Sequence, residues 1–415
     1  MSQPLKRRIG LGLLTAYGIG VMVGAGIYVL VGAVAAQAGV LAPFSFLLAG
    51  LIAAPTALSY AGFSTRLPEA AGEGAYVGQG FNSQSLAIIV GLAVVLAGTI
   101  SAGAVLRGGA GYFSAATGVN AQIVILGMGL ALILVAILGV LESFALVAVF
   151  TVIELVGLGL VIWAGFSAEA SADWATAAPL LDTLSAPGLN SGLNSGLNTG
   201  LMAGVAFGAV LAFFAFIGFE DIVNMAEEVH EPTRILPRAI IISLAVTSVI
   251  YALVCWATVR AVPLDVLAQS ESPLALVWQK SQGGNAHFLS SIAVFAALNG
   301  VLAQIVMASR VLYGLGARSA GLAVFRQAHP RFGTPVRATV LIGSAVLVAA
   351  FLLPVAQLAE LTSATLLSVF VMVNLALILQ KRRQPEALFQ VPMAVPVLGL
   401  VLALAALSTA LGGML

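Results

Sequence analysis

Gly24-Ala25-Gly26-Ile27-Tyr28 and Phe216-Ile217-Gly218-Phe219-Glu220 are two glycine-centred stretches, each set inside a run apolar enough to cross a membrane. A helix interior has no spare backbone groups. A break at membrane depth therefore exposes N–H and C=O dipoles, which is tolerated only where they line a cavity and find a partner. Each stretch lies in the first apolar segment of one half of the chain. Interrupted helices at matching places in two halves point to a binding site between the halves.

The rest of the composition agrees with an all-α integral membrane protein. Of 415 residues, 60% are hydrophobic and 8% charged, and the mean hydropathy is +1.09. A hydrocarbon core needs about 20 apolar residues per helix. On that scale eleven spans are expected, near 10–36, 42–64, 84–106, 121–141, 143–166, 201–226, 236–259, 288–310, 337–354, 357–379 and 391–412. The first charge-free run holds two of them, divided near Gly39 to Pro43. With the N-terminus in the cytoplasm, fourteen lysines and arginines fall on the inside and only Arg107, Arg260 and Lys280 on the outside. That bias sets the orientation, and eleven spans put the C-terminus outside, in a plasma (inner) membrane. Lys6, Arg7 and Arg8 precede an apolar run too long for a signal peptide, which reads as a retained helix. Cys255 is the single cysteine, so no internal disulfide forms. A net charge of +1 implies no nucleic-acid partner; the bilayer is the expected one.

Residues 1–166 and 201–380 read as two sets of five spans. Sets with an odd number of helices insert with opposite topology, which is the arithmetic of an inverted repeat. Between them, 167–200 is an extracytoplasmic loop with three tetrads, from Gly188-Leu189-Asn190-Ser191 to Gly196-Leu197-Asn198-Thr199, of flexible-linker composition. Residues 381–415 hold a peripheral eleventh helix. The loop at 65–81 is rich in turn residues and is expected to pack on the cytoplasmic face. The loop at 310–337, with five arginines, reads as a topological anchor.

Several strings carry a family resemblance. They are Gly18-Ile19-Gly20-Val21-Met22-Val23 leading into the first break, and Phe213-Phe214-Ala215-Phe216-Ile217-Gly218-Phe219-Glu220 followed by Ala226-Glu227-Glu228-Val229 and Leu236-Pro237-Arg238. Ala308-Ser309-Arg310-Val311-Leu312-Tyr313-Gly314, His329-Pro330-Arg331-Phe332-Gly333-Thr334-Pro335, and Arg107 with Gly111-Tyr112 add to them. The chain resembles amino acid permeases of the amino acid–polyamine–organocation superfamily. That resemblance implies a LeuT-type fold, a 5+5 inverted repeat with helices 1 and 6 broken. There are departures. The family usually has twelve or more spans. Gly62 stands where many members carry a glutamate. Glu154 stands where many proton-coupled members carry a lysine, in register with Gly139-Val140-Leu141-Glu142-Ser143.

The resemblance implies a free amino acid as substrate, held by Met22, Gly24, Ala25, Gly26 and Ile27 at the first break and by Phe214, Phe216, Ile217, Gly218 and Phe219 at the second. The physics agrees. Amides freed around Gly24 to Gly26 open the N-terminal end of a half-helix, which favours the carboxylate. Carbonyls freed between Phe216 and Phe219 accept from the ammonium. Glycines also serve helix packing, and Gly20 and Gly24 have the spacing for it. Phe214 matches the aromatic that closes over the substrate in the family. No charge lies in the middle of spans 3 and 8, which fits a neutral, apolar amino acid; Glu220 or Asp221 keeps a cationic amino acid or polyamine open.

Glu154 falls in mid-span, with no other charge between Glu142 and Glu169. A charge at the bilayer centre costs on the order of 3 kcal/mol, so such a residue marks an ion or proton path by default. The alternative is a neutral, hydrogen-bonded structural glutamate. Glu154 and Glu220 are the candidate coupling residues, with a proton, or sodium, as the coupling ion and no cofactor. Glu220 has the alternative of only tethering its half-helix. Glu227 and Glu228 end span 6, where Arg234 and Arg238 are near enough to compensate them, in a surface salt-bridge cluster or, alternatively, a cytoplasmic gate network. The expected function is secondary active transport by alternating access, proton-coupled, with exchange, sodium symport or ligand sensing as alternatives. An enzyme is not expected, because His230, His287 and His329 lie in separate loops and no nucleophile or metal motif is present. A channel suits one long chain with inverted halves less well than a carrier does.

Overall fold

The computed structural model describes residues 7–24, 26–69, 72–138, 140–176, 196–270, 273–283, 287–353, 355–384 and 389–414. Among these the chain is helical throughout, and its only strand-like pairing is a parallel bridge between Ile9 and Val229. The first crossing is two half-helices, α1 (Leu11–Val23) and α2 (Gly26–Ala38). A 3-10 turn, Gly39–Leu41, separates α2 from α3 (Ala42–Ser64). The turn divides an apolar run of 35 residues, and Gly39 supplies the φ of +57° on which it pivots. The division falls where the sequence predicts it.

Four helices follow: α4 (Gly72–Phe81), α5 (Gln84–Thr117), α6 (Ala121–Leu138) and α7 (Val140–Ser167). Ser83 caps α5 by accepting from the amide of Leu86, and Gly118 ends it in the left-handed conformation, at φ 74°. α4 is a departure from the sequence reading, which has only a turn-rich loop there. The short helix α4 is folded inward, against α5 and the second break.

The second half opens with α8 (Gly196–Phe213) and continues through a 3-10 turn, Phe214–Phe216, to a 3-10 helix, Glu220–Glu228. Then come α9 (Pro232–Ala261), two short helices, Leu264–Gln269 and Pro273–Gln282, and α10 (His287–Arg318). α11 (Val336–Leu352), α12 (Val355–Arg383) and α13 (Ala394–Met414) complete the chain. Among the described residues nine apolar segments are long enough to cross a membrane, and Val336–Leu352 and Ala394–Ser408 are shorter apolar helices. Ala25 and the tetrads up to Ser195 lie outside the described residues.

α10 is the axis of the bundle and packs most extensively along α5. Small residues permit the approach: a Cβ added at Gly98 would meet Met307 at 2.7 Å, and one at Gly109 would meet Ala297 at 2.4 Å. The outer helices α6 and α7 turn large apolar side chains such as Leu130, Leu134, Val152 and Trp163 outward, as lipid-facing helices do. Two apolar furrows of about 440 and 530 Å³, between outer faces of α3 and α9 and of α5 and α12, belong to that surface. Both arginines expected on the outside cap helix termini. Arg107 donates to the carbonyls of Ala350 (3.0 Å) and Leu353 (3.1 Å), and Arg260 to those of Gly165 (2.8 Å) and Ala168 (2.7 Å). Each cation thereby satisfies the last carbonyls of a helix, where the dipole favours it.

Candidate functional site

The two breaks meet. Gly218 has φ +128°, and a Cβ there would stand 2.8 Å from Val21 Cγ1 and 3.3 Å from the amide nitrogen of Met22. Only glycine has both the dihedral and the room, so the second break rests directly on the backbone of the first. Gly26 borders the second break too, though a Cβ there would make only ordinary contact with Ala215, at 3.5 Å. Tyr251 of α9 closes the contact: its buried hydroxyl donates toward the carbonyls of Met22 and Ala215, the latter at 3.0 Å. One phenol thus ties both breaks, with Phe216 packed edge-on to its ring at 5.2 Å.

Around this junction lies a cavity of about 60 Å³, lined by Val21, Met22, Gly24, Gly26, Ser101, Val105, Phe214, Ala215, Ile217, Gly300, Gln304 and Thr362. Of the substrate residues expected from sequence, Met22, Gly24, Gly26, Phe214 and Ile217 line it. Ile27, Phe216 and Phe219 are buried elsewhere in the core. Gly218 supports the wall from behind. Gly24 is not a free donor, because its amide still bonds the carbonyl of Gly20 at 3.2 Å. The amides without an intrahelical acceptor therefore belong to the first turn of α2, from Gly26 onward. On the second break, the carbonyls of Phe214 and Gly218 accept from Ile217 (3.3 Å) and Asp221 (3.2 Å).

Glu220 caps its own break. Its Oε2 accepts from the amide of Gly218 at 2.9 Å, so this carboxyl holds the turn open rather than facing the cavity. Asp221, next to it, accepts from Gln304 Nε2, and Gln304 reaches the cavity wall from α10. Glu154 is fully buried on α7. Asn299 Nδ2 donates to its Oε1 at 2.9 Å, whereas Oε2 has no partner. Asn299 also reaches Thr151 (3.2 Å), which bonds the carbonyl of Ala16 on α1 (3.2 Å). Gly20 makes that junction possible, since a Cβ there would lie 2.1 Å from Thr151 Oγ1. The polar chain Glu154–Asn299–Thr151 thereby links α7, α10 and the first half-helix. Sequence reading missed Asn299, Thr151, Gln304 and Tyr251. All are uncharged, and the one available signal was a polar side chain in mid-span.

At the end where most lysines and arginines lie, the basic end, the two broken segments are tied together. The amides of Arg8 and Ile9 both donate to the carbonyl of Glu228, at 2.8 and 3.0 Å, and the amide of His230 donates to Ile9 at 2.9 Å. The side chain of Glu228 pairs with Arg310 Nε at 3.2 Å, both wholly buried. This corrects two expectations. Glu228 is not compensated by Arg234 or Arg238 at the surface, and Arg310 is not part of a loop anchor. Arg234 instead forms an exposed pair with Glu231. Between this pair and the cavity lies an aromatic layer in which Phe219 stacks on Phe370 at 5.4 Å and Tyr60 packs edge-on to both.

A helical membrane bundle with two interrupted crossings meeting at a small buried cavity is the architecture of a carrier. The chain belongs to the amino acid permease family, whose model matches residues 9–412. It is similar to the branched-chain amino acid permease BcaP of Bacillus subtilis, 31% identical over 43% of this chain and 38% of that protein. It is 29% identical to the vacuolar cationic amino acid transporter 4 of Arabidopsis thaliana, over 82% of this chain and 58% of that one. The methylthioribose transporter of Bacillus subtilis is 28% identical over 88% of this chain and 79% of its own length. The chain thus covers less than two thirds of the first two relatives.

Proposed function

We propose that the protein is a secondary active transporter that takes up neutral, apolar L-amino acids by alternating access, driven by a proton gradient. One observation carries the substrate class: among the described residues that line the cavity at the breaks, none is charged. The substrate's ammonium and carboxylate are then met by backbone dipoles of the two breaks, and its side chain by Val105, Phe214 and Gly300. The names of the similar proteins range over branched-chain and cationic amino acids and methylthioribose, so family membership alone leaves the class open. A cationic substrate is the second reading, because Gln304 of the cavity wall already holds the carboxylate of Asp221.

In this reading residues 1–166 and 201–380 are inverted halves, the basic end faces the cytoplasm, and the membrane is the plasma (inner) membrane. Glu154 is the proton carrier, and Glu220 couples the break to it. Uptake by the purified protein in liposomes, across the twenty amino acids with and without Na⁺ and a pH gradient, tests this. Leucine preferred over arginine and dependence on the pH gradient are expected. Preference for arginine, or dependence on Na⁺ alone, would overturn it.

A further inference from the structure

Beneath the second break, on its basic side, six buried polar atoms have no hydrogen-bond partner: both carboxyl oxygens of Glu73, both amide atoms of Asn224, and the hydroxyls of Tyr60 and Tyr76. All four side chains are wholly buried. They share one place. The rings of Tyr60 and Tyr76 are 6.1 Å apart. A Cβ at Gly72, next to Glu73, would lie 3.1 Å from Asn224 Oδ1. Asn224 stands beside the Glu73 carboxyl but outside hydrogen-bond geometry. An unpaired buried polar group costs of order 1–3 kcal/mol and more when charged, so the Glu73 carboxyl is badly placed to carry a charge here.

The charges around it decide how that cost is relieved. The 3-10 helix contributes Glu220 and Asp221, α3 contributes Tyr60, and α4 itself contributes Tyr76. Glu220 and Asp221 are carboxyls and the two tyrosines are neutral phenols, so none of the four brings a positive charge. The nearby cations are engaged elsewhere: Arg318 pairs with Glu69, Arg383 donates to the carbonyl of Gly80, and Lys381 bonds the carbonyl of Val391. Arg107, the one cation of α5, caps α11. No group of three or more His, Cys, Asp or Glu side chains among the described residues is disposed to hold a metal ion. A carboxylate enclosed without a cation is relieved most simply by a proton.

We propose that Glu73 is a proton-binding site, separate from Glu154, which is occupied while α4 is closed against the 220–228 segment and empties when they part. Parting would admit water between Glu73 and Asn224; the O–H bond of the carboxyl then breaks, and the proton passes to that water on the basic side. Burial supports this by raising the Glu73 carboxyl to about 8, above the ordinary carboxylate range.

The test needs no substrate, so its outcome is independent of the transport reading. Infrared difference spectra of the full-length protein in liposomes are recorded while pH is raised from about 6 to about 10. The wild type is expected to lose protonated-carboxyl absorption with a component centred near pH 8. Glu73→Gln should remove a share of that component, and should do so equally in a Glu154→Gln background. Glu73→Asp, which keeps a titratable group if the glutamine variant fails to fold, should shift its midpoint by several tenths of a pH unit or more. An unchanged component in Glu73→Gln, or an unshifted one in Glu73→Asp, overturns the proposal. So does a component that moves with Na⁺ or K⁺ concentration at fixed pH, which would make this a cation site.

Discussion

Glu228 and Glu154 are both wholly buried, yet one faces a guanidinium and the other an amide. Glu228 ends the second broken segment, where Arg310 pairs with it and the backbone of Arg8 and Ile9 binds its carbonyl. Glu154 sits in mid-span with one oxygen bonded to Asn299 and the other unpartnered. In the proposed mechanism the difference corresponds to two jobs. A buried acid with a fixed cation is a lock, because removing either partner strands a charge. A buried acid without a cation is free to exchange a proton, and the membrane interior makes the charged form expensive enough for protonation to matter. The protein places the lock at one end of the broken segments and the unpaired acids beside the breaks.

The comparison can be broken most severely at the lock. Arg310→Ala should destabilise the protein by about 3–5 kcal/mol, because Glu228 is left buried and unpaired. Thermal unfolding in detergent would measure this, and Glu228→Gln in the same background should recover part of the loss. A smaller effect is expected at the junction that holds the unpaired side in place. Gly20→Ala drives a methyl into Thr151, 2.1 Å away at the built position, and should cost about 1–3 kcal/mol. Tyr251→Phe removes the hydroxyl that both breaks share and should cost about 1 kcal/mol. Arg234→Ala breaks only an exposed pair and should leave the unfolding midpoint unchanged, which calibrates the other three.

These contrasts also mark what the sequence made legible. Charge-free apolar runs and two glycine-centred interruptions announced the spans, the breaks and the turn at Gly39, because bilayer thickness and helix geometry act on short stretches of chain. The pairing of Glu228 with Arg310 spans 82 positions, and only the packing of α10 against the second break brings the two together. Nearness in sequence favoured Arg234, the wrong cation. Glu73 was hidden by its setting, since Pro68-Glu69-Ala70-Ala71-Gly72 reads as a surface turn, and nothing local says that the following helix folds inward. Asn299 and Gln304 were hidden by their neutrality in a long apolar helix. At the breaks, the glycines were right as a group, but their division of labour was not: Gly218 and Gly20 make room for backbone and side-chain contacts, whereas Gly24 and Gly26 border the cavity.

The most direct test of the proton-carrying role is Glu154→Gln in liposomes, with accumulation of labelled leucine driven by a pH gradient measured beside its exchange against internal unlabelled leucine. The expected result is loss of gradient-driven accumulation with exchange retained, because binding at the breaks survives while the proton has nowhere to ride. Gradient-driven accumulation equal to the wild type would contradict it.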